Sequence, residues 1–347
     1  MRLLRNTTLF VSIAILLAYV VFTDGLSGVM TAFRTLDWFY FAIAAAVSFS
    51  SFFADALIVH FLRAKYRKDR YSKSLYNVLF VFASNNLIPA TLQVGIAAET
   101  ALLNSQGLKV SDAGSLVLYR QTVNFIAVTV FPLALVALSW DYFATHASVL
   151  LLVLFGAGLV IEALTSLFYA FVGTWSGFLM LIARFFIRIG CSLKLIGDKD
   201  AALEAAQKSI FDLKRQMSEL PFGFSDGLIV FFFCILRNFL TFMSSFFIAR
   251  ALGVASHANF WTFIAAYSFV SIIPVVVPLP GGLGIADLTY VSIFSDMAGG
   301  SINMMMLLWR LMTFYFPAIV SIILMSAPMR GGKKVAGAEE NAGEEKT

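Results

Sequence analysis

Long apolar runs alternate with short polar links along this chain, and run length decides what each run can do. Stretches from about Leu9 to Phe22, Leu36 to Phe61, Ser111 to Leu138, Ser148 to Val172, Gly227 to Leu252 and Ile302 to Met325 read as crossing helices. Most of them reach the roughly twenty residues that a helix rising about 1.5 Å per residue needs to span hydrocarbon. Ser111 and Asp112 look like an N-cap for the third of these. Two further pairs of runs are too short to cross: Ser74 to Pro89 with Ala90 to Leu103, and Phe260 to Val277 with Gly284 to Met297. Each pair is split by helix breakers, Asn85, Asn86 and Pro89 in the first, Pro278, Pro280, Gly281, Gly282 and Gly284 in the second. Proline removes an amide donor and clashes with the preceding turn, and each glycine weakens a helix further. Broken backbone at membrane depth survives only against protein or a wet cavity. Both pairs are therefore expected to be re-entrant hairpins, with Pro89 and Gly95 at one tip and the Pro278 to Gly284 segment at the other.

The one sizeable polar region lies between Gly173 and Ser225. Within it Asp198 or Asp200 can cap a helix whose Leu203, Ala206, Ile210, Leu213, Met217 and Leu220 share a face. This insert, about 178–222, is expected under the bundle or in the headgroup layer. Residues 1–327 thus form the transmembrane domain, and the Gly/Glu-rich 328–347 a disordered cytoplasmic tail.

Composition settles the class: 60% hydrophobic residues, 13% charged ones and a mean hydropathy of +0.85 exclude an ordinary soluble domain. The expected fold is all-α, a polytopic helical membrane protein. Its net charge of +5 reflects placement. Arg63, Lys65, Arg67, Lys68, Arg70 and Lys73 crowd one link, and Arg184, Arg188, Lys194, Lys199, Lys208, Lys214 and Arg215 lie in the insert. The links near Asp24 to Asp37, Trp140 to Ala147 and Gly253 to Ala258 hold almost none. The positive-inside rule then puts both termini in the cytoplasm of a plasma (inner) membrane protein. This asymmetry accounts for the basic excess, so no nucleic-acid partner is invoked. Thr23-Asp24-Gly25 offers no small-x-small cleavage site, and the first run reads as a retained span. Cys191 and Cys234 lie in unlike surroundings, and His60, His146 and His257 are scattered singly, so neither a disulfide nor a metal or other cofactor is expected.

The two breakers belong to a repeat. Pro89-x5-Gly95-Ile96-Ala97 matches Pro278-x5-Gly284-Ile285-Ala286, each followed by an acid, Glu99 or Asp287. Leu118-Tyr119-Arg120 then matches Leu308-Trp309-Arg310. The charge-derived topology opens the first hairpin inside and the second outside, which makes the repeat inverted. Inverted repeats with broken helices are what secondary transporters use, with the site at the midplane.

Charges inside apolar runs cost about 2.5–3.5 kcal/mol each on insertion scales and are expected to face the interior with partners. One reading pairs Arg310 with Asp287 and Arg120 with Glu99, pinning each hairpin to the span that follows. The other has Arg120, Arg237 and Arg310 converge on a phosphate, whose oxygens suit guanidinium forks and amide-rich helix N-termini. Arg237-Asn238 has no acidic partner within its own run, which favours the ligand reading there. The candidate substrate-binding set is Asn85, Asn86, Glu99, Arg120, Arg237, Asn238, Asp287 and Arg310; Asp55 and Glu162 are left to bundle contacts or proton coupling.

Pro278-Leu-Pro-Gly-Gly-Leu-Gly-Ile-Ala-Asp287, Leu307-Leu308-Trp309-Arg310, Asn85 to Pro89 and Tyr119-Arg120 together resemble the transmembrane region of the lysylphosphatidylglycerol synthase family, the flippase half of aminoacyl-phospholipid synthases. The resemblance implies lipid translocation across a plasma membrane. Three departures accompany it: Asp287 stands where the family usually has Glu, the glycine–acid pair around Pro89 to Glu99 is spread apart, and no soluble aminoacyl-transferring domain follows the last span. A separate lipid-modifying or glycan-synthesis enzyme is the partner this implies, beside membrane lipids. Three functions stay open: a flippase for an anionic phospholipid or polyprenyl phosphate, a small-solute or ion transporter, and a membrane-bound transferase or accessory subunit. No nucleotide loop, Asp-x-Asp pair or nucleophile beside a histidine supports the last, so no enzymatic activity is expected.

Overall fold

The computed structural model describes residues 33–87, 94–171, 176–192, 199–218, 221–254, 259–277 and 284–326. The first expected span, the tip residues Pro89, Pro278, Pro280, Gly281 and Gly282, and the tail lie outside the described residues. Every regular element described is helical, and the protein is a polytopic helical membrane protein.

In chain order α1 covers Trp38–Ala64, α2 Tyr71–Leu87, α3 Val94–Ser105 and α4 Val110–Leu138. A short α5, Trp140–His146, leads into α6, Val149–Phe171. Helices α7, Ser176–Ser192, and α8, Lys199–Ser218, pack on each other and make up the insert, which holds one helix more than its apolar stripe predicts. Then come α9, Phe224–Ala251, α10, Phe260–Ile272, with a tight 3-10 turn Ile273–Val275, and α11, Ile285–Ala298. The last helix runs as α12, Ile302–Arg310, a wider π segment, Leu311–Tyr315, and α13, Phe316–Ser326.

Helices α1, α4, α6 and α9, with 27, 29, 23 and 28 residues, are long and apolar enough to cross a bilayer. The continuous apolar stretch Ile285–Ser321 also qualifies, but Gly299, at φ +52°, closes α11 before α12 begins. The α1–α9 pair makes the most extensive contact between helices and forms the axis of the bundle. Helix α4 packs on both α9 and α6, whereas Val153, Val160, Ile161, Leu164 and Leu167 of α6 are exposed on the bundle's outside. Apolar exposure on that scale marks a lipid-facing surface.

Helix α10 is of another kind. Only 13 residues long, it buries Phe263 through Val270 and Ile272 on every side. A helix apolar all round belongs inside a bundle, not on its rim. Phe269 stacks on Phe143 of α5 at 5.0 Å and on Phe155 of α6 at 4.6 Å, and Tyr290 of α11 stacks on Trp309 of α12 at 4.3 Å. The partner helices α2 and α3, with 17 and 12 residues, pack against each other, as do α10 and α11.

Two local readings of the sequence are corrected. Helix α4 starts at Val110 after an extended Lys109, so Ser111 falls inside the first turn and its hydroxyl bonds Asp112 instead of capping. The last span, expected to be unbroken, widens into the π segment because Pro317 brings no amide hydrogen and its ring would strike the carbonyl four residues back.

At one end of the bundle the link between α1 and α2 is tied down by Asp69. Its carboxylate accepts from Arg63, which is fully buried and also donates to Gln106 past the end of α3, and from Lys73 at 2.7 Å. Burial pushes the Asp69 carboxyl up, but hydrogen bonds from Lys73 and Arg63 and their charges outweigh it and hold the group below its ordinary 3.8. A depressed carboxyl stabilises the fold fully above its unfolded value and loses that contribution as pH falls through the folded one. Thermal unfolding of the detergent-solubilised protein should therefore show stability declining below about pH 4, and Asp69→Asn should remove part of that decline while lowering stability at neutral pH.

Among the described glycines Gly158 has the least room. A Cβ there would stand 2.5 Å from the Ile272 side chain and 2.9 Å from its carbonyl oxygen, so α6 can reach the end of α10 only without a side chain. Gly158→Ala should cost about 1–3 kcal/mol in the same unfolding assay, the usual penalty of overpacking.

Candidate functional site

Four helices each bring a charged side chain to one buried place. Asp55 lies in the second half of α1, Glu99 in the middle of the short α3, Arg120 on α4 and Arg237 at the midpoint of α9. Because α1 and α9 run along each other and α4 packs on α9, these positions meet within the bundle. Arg120 places one guanidinium nitrogen on both Asp55 oxygens, at 2.7 and 2.9 Å, and the other on Glu99. Arg237 donates to the same Asp55 at 3.2 Å, to Asn124 of α4 at 2.7 Å and to Asn238 at 3.0 Å.

The result is two cations against two carboxylates, and Asp55 is shared by both cations. A buried charge left alone would be driven to neutralise or to unfold the protein, so the balance is a condition of the fold. The members are not equally accessible. Glu99 is fully buried and Arg120 has 7% of its side chain exposed, whereas Arg237 keeps 20% and Asp55 13%. Arg237 and Asp55 are thus the pair that an incoming group can reach.

They line a cavity of about 230 Å³ together with Ser48, Ser51, Phe52, Phe82, Thr241 and Thr313. The four hydroxyls donate to main-chain carbonyls, Ser48 to Met312, Ser51 to Ser48, Thr241 to Arg237 and Thr313 to Trp309, and so face the cavity as acceptors. Thr313 belongs to the π segment, where the widened turn bonds Ser48 of α1 through the Met312 carbonyl. Two buried polar atoms of the cluster are left without partners, Nδ2 of Asn238 and Oε2 of Glu99.

A second ion pair joins Asp287 of α11 to Arg310 of α12. Asp287 also accepts from the Gly284 amide at 2.9 Å and so caps α11; Gly284 itself sits at φ +82°, a conformation that suits glycine. The Arg310 guanidinium lies over the Trp309 ring at 4.6 Å and the Phe314 ring at 5.7 Å.

Both pairings expected from the sequence, Arg120 with Glu99 and Arg310 with Asp287, are thus present. Arg120, Arg237, Glu99 and Asn238 of the candidate set come together. Arg310 and Asp287 form their own pair and do not line the cavity. Asn85 and Asn86 end α2, with side chains outside the described set, and Gly95 is buried in the first turn of α3. Arg237 does not lack an acid: its partner comes from another helix, which a reading of its own run could not reveal. That acid, Asp55, is the residue the sequence reading undervalued, and Asn124 is one it missed. Their signal was depth, since an ionisable or amide side chain deep within a long apolar run marks a site by default.

Comparison with known proteins gives one family: the model described as Lysylphosphatidylglycerol synthase TM region matches residues 9–321. A search of the curated proteins found no match.

Replacing Asp55 by Asn should cost about 3–5 kcal/mol of stability, because Arg237 then keeps only amide partners in a buried place. Arg237→Gln should cost less, since Asp55 retains Arg120. Thermal unfolding of the two purified variants checks the order, and equal losses would mean that Asp55 is not the shared partner.

Proposed function

Since the chain belongs to the lysylphosphatidylglycerol synthase TM region family, we propose that it is a flippase for an anionic lipid of phospholipid or polyprenyl-phosphate type. The observation that supports this most directly is the Asp55–Arg120–Arg237 cluster opening on a cavity between apolar helices. A phosphate can replace the Asp55 carboxylate on Arg237, because Asp55 gives that guanidinium a single oxygen at 3.2 Å and a phosphate oxygen can take the same place. The charge that leaves is matched by the charge that arrives, and the acyl chains remain in lipid throughout. Asn124 and the unpartnered Nδ2 of Asn238 supply neutral contacts beside the exchanged charge.

In this reading the short pairs α2–α3 and α10–α11 are re-entrant hairpins of an inverted repeat. Their lengths, the burial of α10 on every side, and the acid–arginine pair that joins the second helix of each pair to the helix after it support this reading. Asp287 and Arg310 hold the second hairpin to the last span and take part when it moves. The protein works in the plasma membrane with both termini in the cytoplasm, and a separate enzyme makes or uses its lipid.

Purified protein in liposomes should move a labelled anionic lipid between leaflets, and Arg237→Gln should slow this about tenfold or more, the loss expected for one charge-assisted contact of about 1.5–3 kcal/mol. Folding of the variant is checked by its unfolding temperature. Wild-type vesicles that move no anionic lipid yet take up a small anion would transfer the reading to solute transport.

A further inference from the structure

Glu162 stands apart from the other acids within the membrane. Asp55, Glu99 and Asp287 are each paired with an arginine, whereas Glu162, in the middle of α6, forms no ion pair among the described residues. It is 8% exposed, and its Oε2 is buried without a hydrogen-bond partner. The rest of α6 explains what this costs. The neighbours Val160, Ile161 and Leu164 face lipid, so Glu162 turns away from the hydrocarbon and toward α4 and the end of α10, against which α6 packs.

The charged and titratable groups on those elements offer it no counterion. Helix α4 carries Asp112, Tyr119 and Arg120 in its first half and none beyond, and Arg120 is committed to Asp55 and Glu99. Ser166, one turn after Glu162, meets the Thr122 carbonyl, and Tyr169 stacks on Phe125. Helix α10 brings Tyr267, which is packed against Tyr290 and Trp309, and the 3-10 turn Ile273–Val275 carries no ionisable group. Asp141, Tyr142 and His146 lie before the start of α6.

The position relative to the second broken helix gives the residue its use. Gly158, one turn before Glu162 on the same face, is the point where α6 touches the Ile272 side chain and carbonyl. There α10 ends, and the chain passes into the 3-10 turn Ile273–Val275, which also packs on α6. Any displacement of that turn therefore alters the packing on the face of α6 that carries the carboxyl.

We propose that Glu162 is a proton-binding site, protonated when the α10 end is packed on α6 and releasing its proton when that contact opens, so that lipid movement is coupled to a proton gradient. The step is a simple transfer: the carboxylic acid loses its proton to water admitted at the opened contact and regains one from the other side. No redox partner or further co-reactant is needed. The inference rests on the flippase reading but is read out separately from it.

Dicyclohexylcarbodiimide is trapped by protonated carboxyls in apolar surroundings, which give it their proton and add through oxygen to its central carbon, and serves as the first probe. Peptide mass spectrometry of the wild-type protein in liposomes should find the adduct on Glu162 near neutral pH and find less of it as pH rises. In the second measurement a dilute labelled anionic lipid is allowed to distribute under an imposed pH gradient. One proton per lipid predicts a leaflet ratio of about tenfold per pH unit. Glu162→Gln, the neutral isostere, should abolish the gradient dependence and leave the two leaflets equally labelled. An unmodified Glu162 at every pH, or wild-type lipid movement that ignores the gradient, would overturn the proposal and leave the flippase intact. Wild-type vesicles that move no lipid at all would remove the flippase reading and with it the coupling.

Discussion

Asp55 is one carboxylate between two guanidinium groups, and the architecture follows from the need to keep it so. An arginine at the centre of a crossing helix is costly unless a partner meets it, and here three helices must hold their register for the meeting to occur. Helices α1 and α9 lie along each other over much of their lengths, which puts Asp55 opposite Arg237; α4 packs on α9 and delivers Arg120 to the other side of the same carboxylate. Glu99 completes the balance from α3, a helix of 12 residues that is too short to cross and is positioned by what it carries. A slip of one helix by a single turn would strand at least one charge.

The second half of the molecule spends its polar groups differently. Its acid, Asp287, caps the helix it begins and pairs with an arginine 23 residues later. Glu99 lies 21 residues before its own arginine but sits within its helix, where it does not cap. The same residue types in nearly the same spacing therefore tie α11 to α12 locally, while on the other side they join a network shared by α1, α3, α4 and α9. The cavity side of that network faces the π segment, where Pro317 forces the turn to widen and Thr313 comes to line the cavity.

Much of this was legible from the run lengths and the breakers. The crossing helices, the short pairs and the two acid–arginine pairings follow from local composition and spacing, which are properties of single segments. What escaped were relations between segments. Asp55 sits among small and apolar residues, and nothing near it in sequence announces two cations that arrive from 65 and 182 residues away. Asn124 hides in α4 for the same reason. The short helix α5 was missed because seven residues of mixed polarity read as a link, although Phe143 within it is completely buried in the core. The cavity could not be foreseen, since its hydroxyls come from two helices and the π segment.

The energetics decide how such a cluster can serve transport at all. Opening a buried ion pair against nothing costs about 3–5 kcal/mol, enough to hold the opened state to a population well under one in a hundred. A ligand that supplies its own negative charge removes most of that cost, because Arg237 exchanges one anionic oxygen for another while Arg120 keeps Asp55 and Glu99. On the flippase reading the resting cluster is both a lock and a selectivity device: neutral molecules cannot compensate the departing carboxylate, and cations meet a guanidinium at the cavity wall. The same reasoning separates Glu162 from the cluster. A carboxyl with no cation to leave behind can change its charge only by gaining or losing a proton, so the two kinds of buried acid in this bundle are suited to two different cargoes.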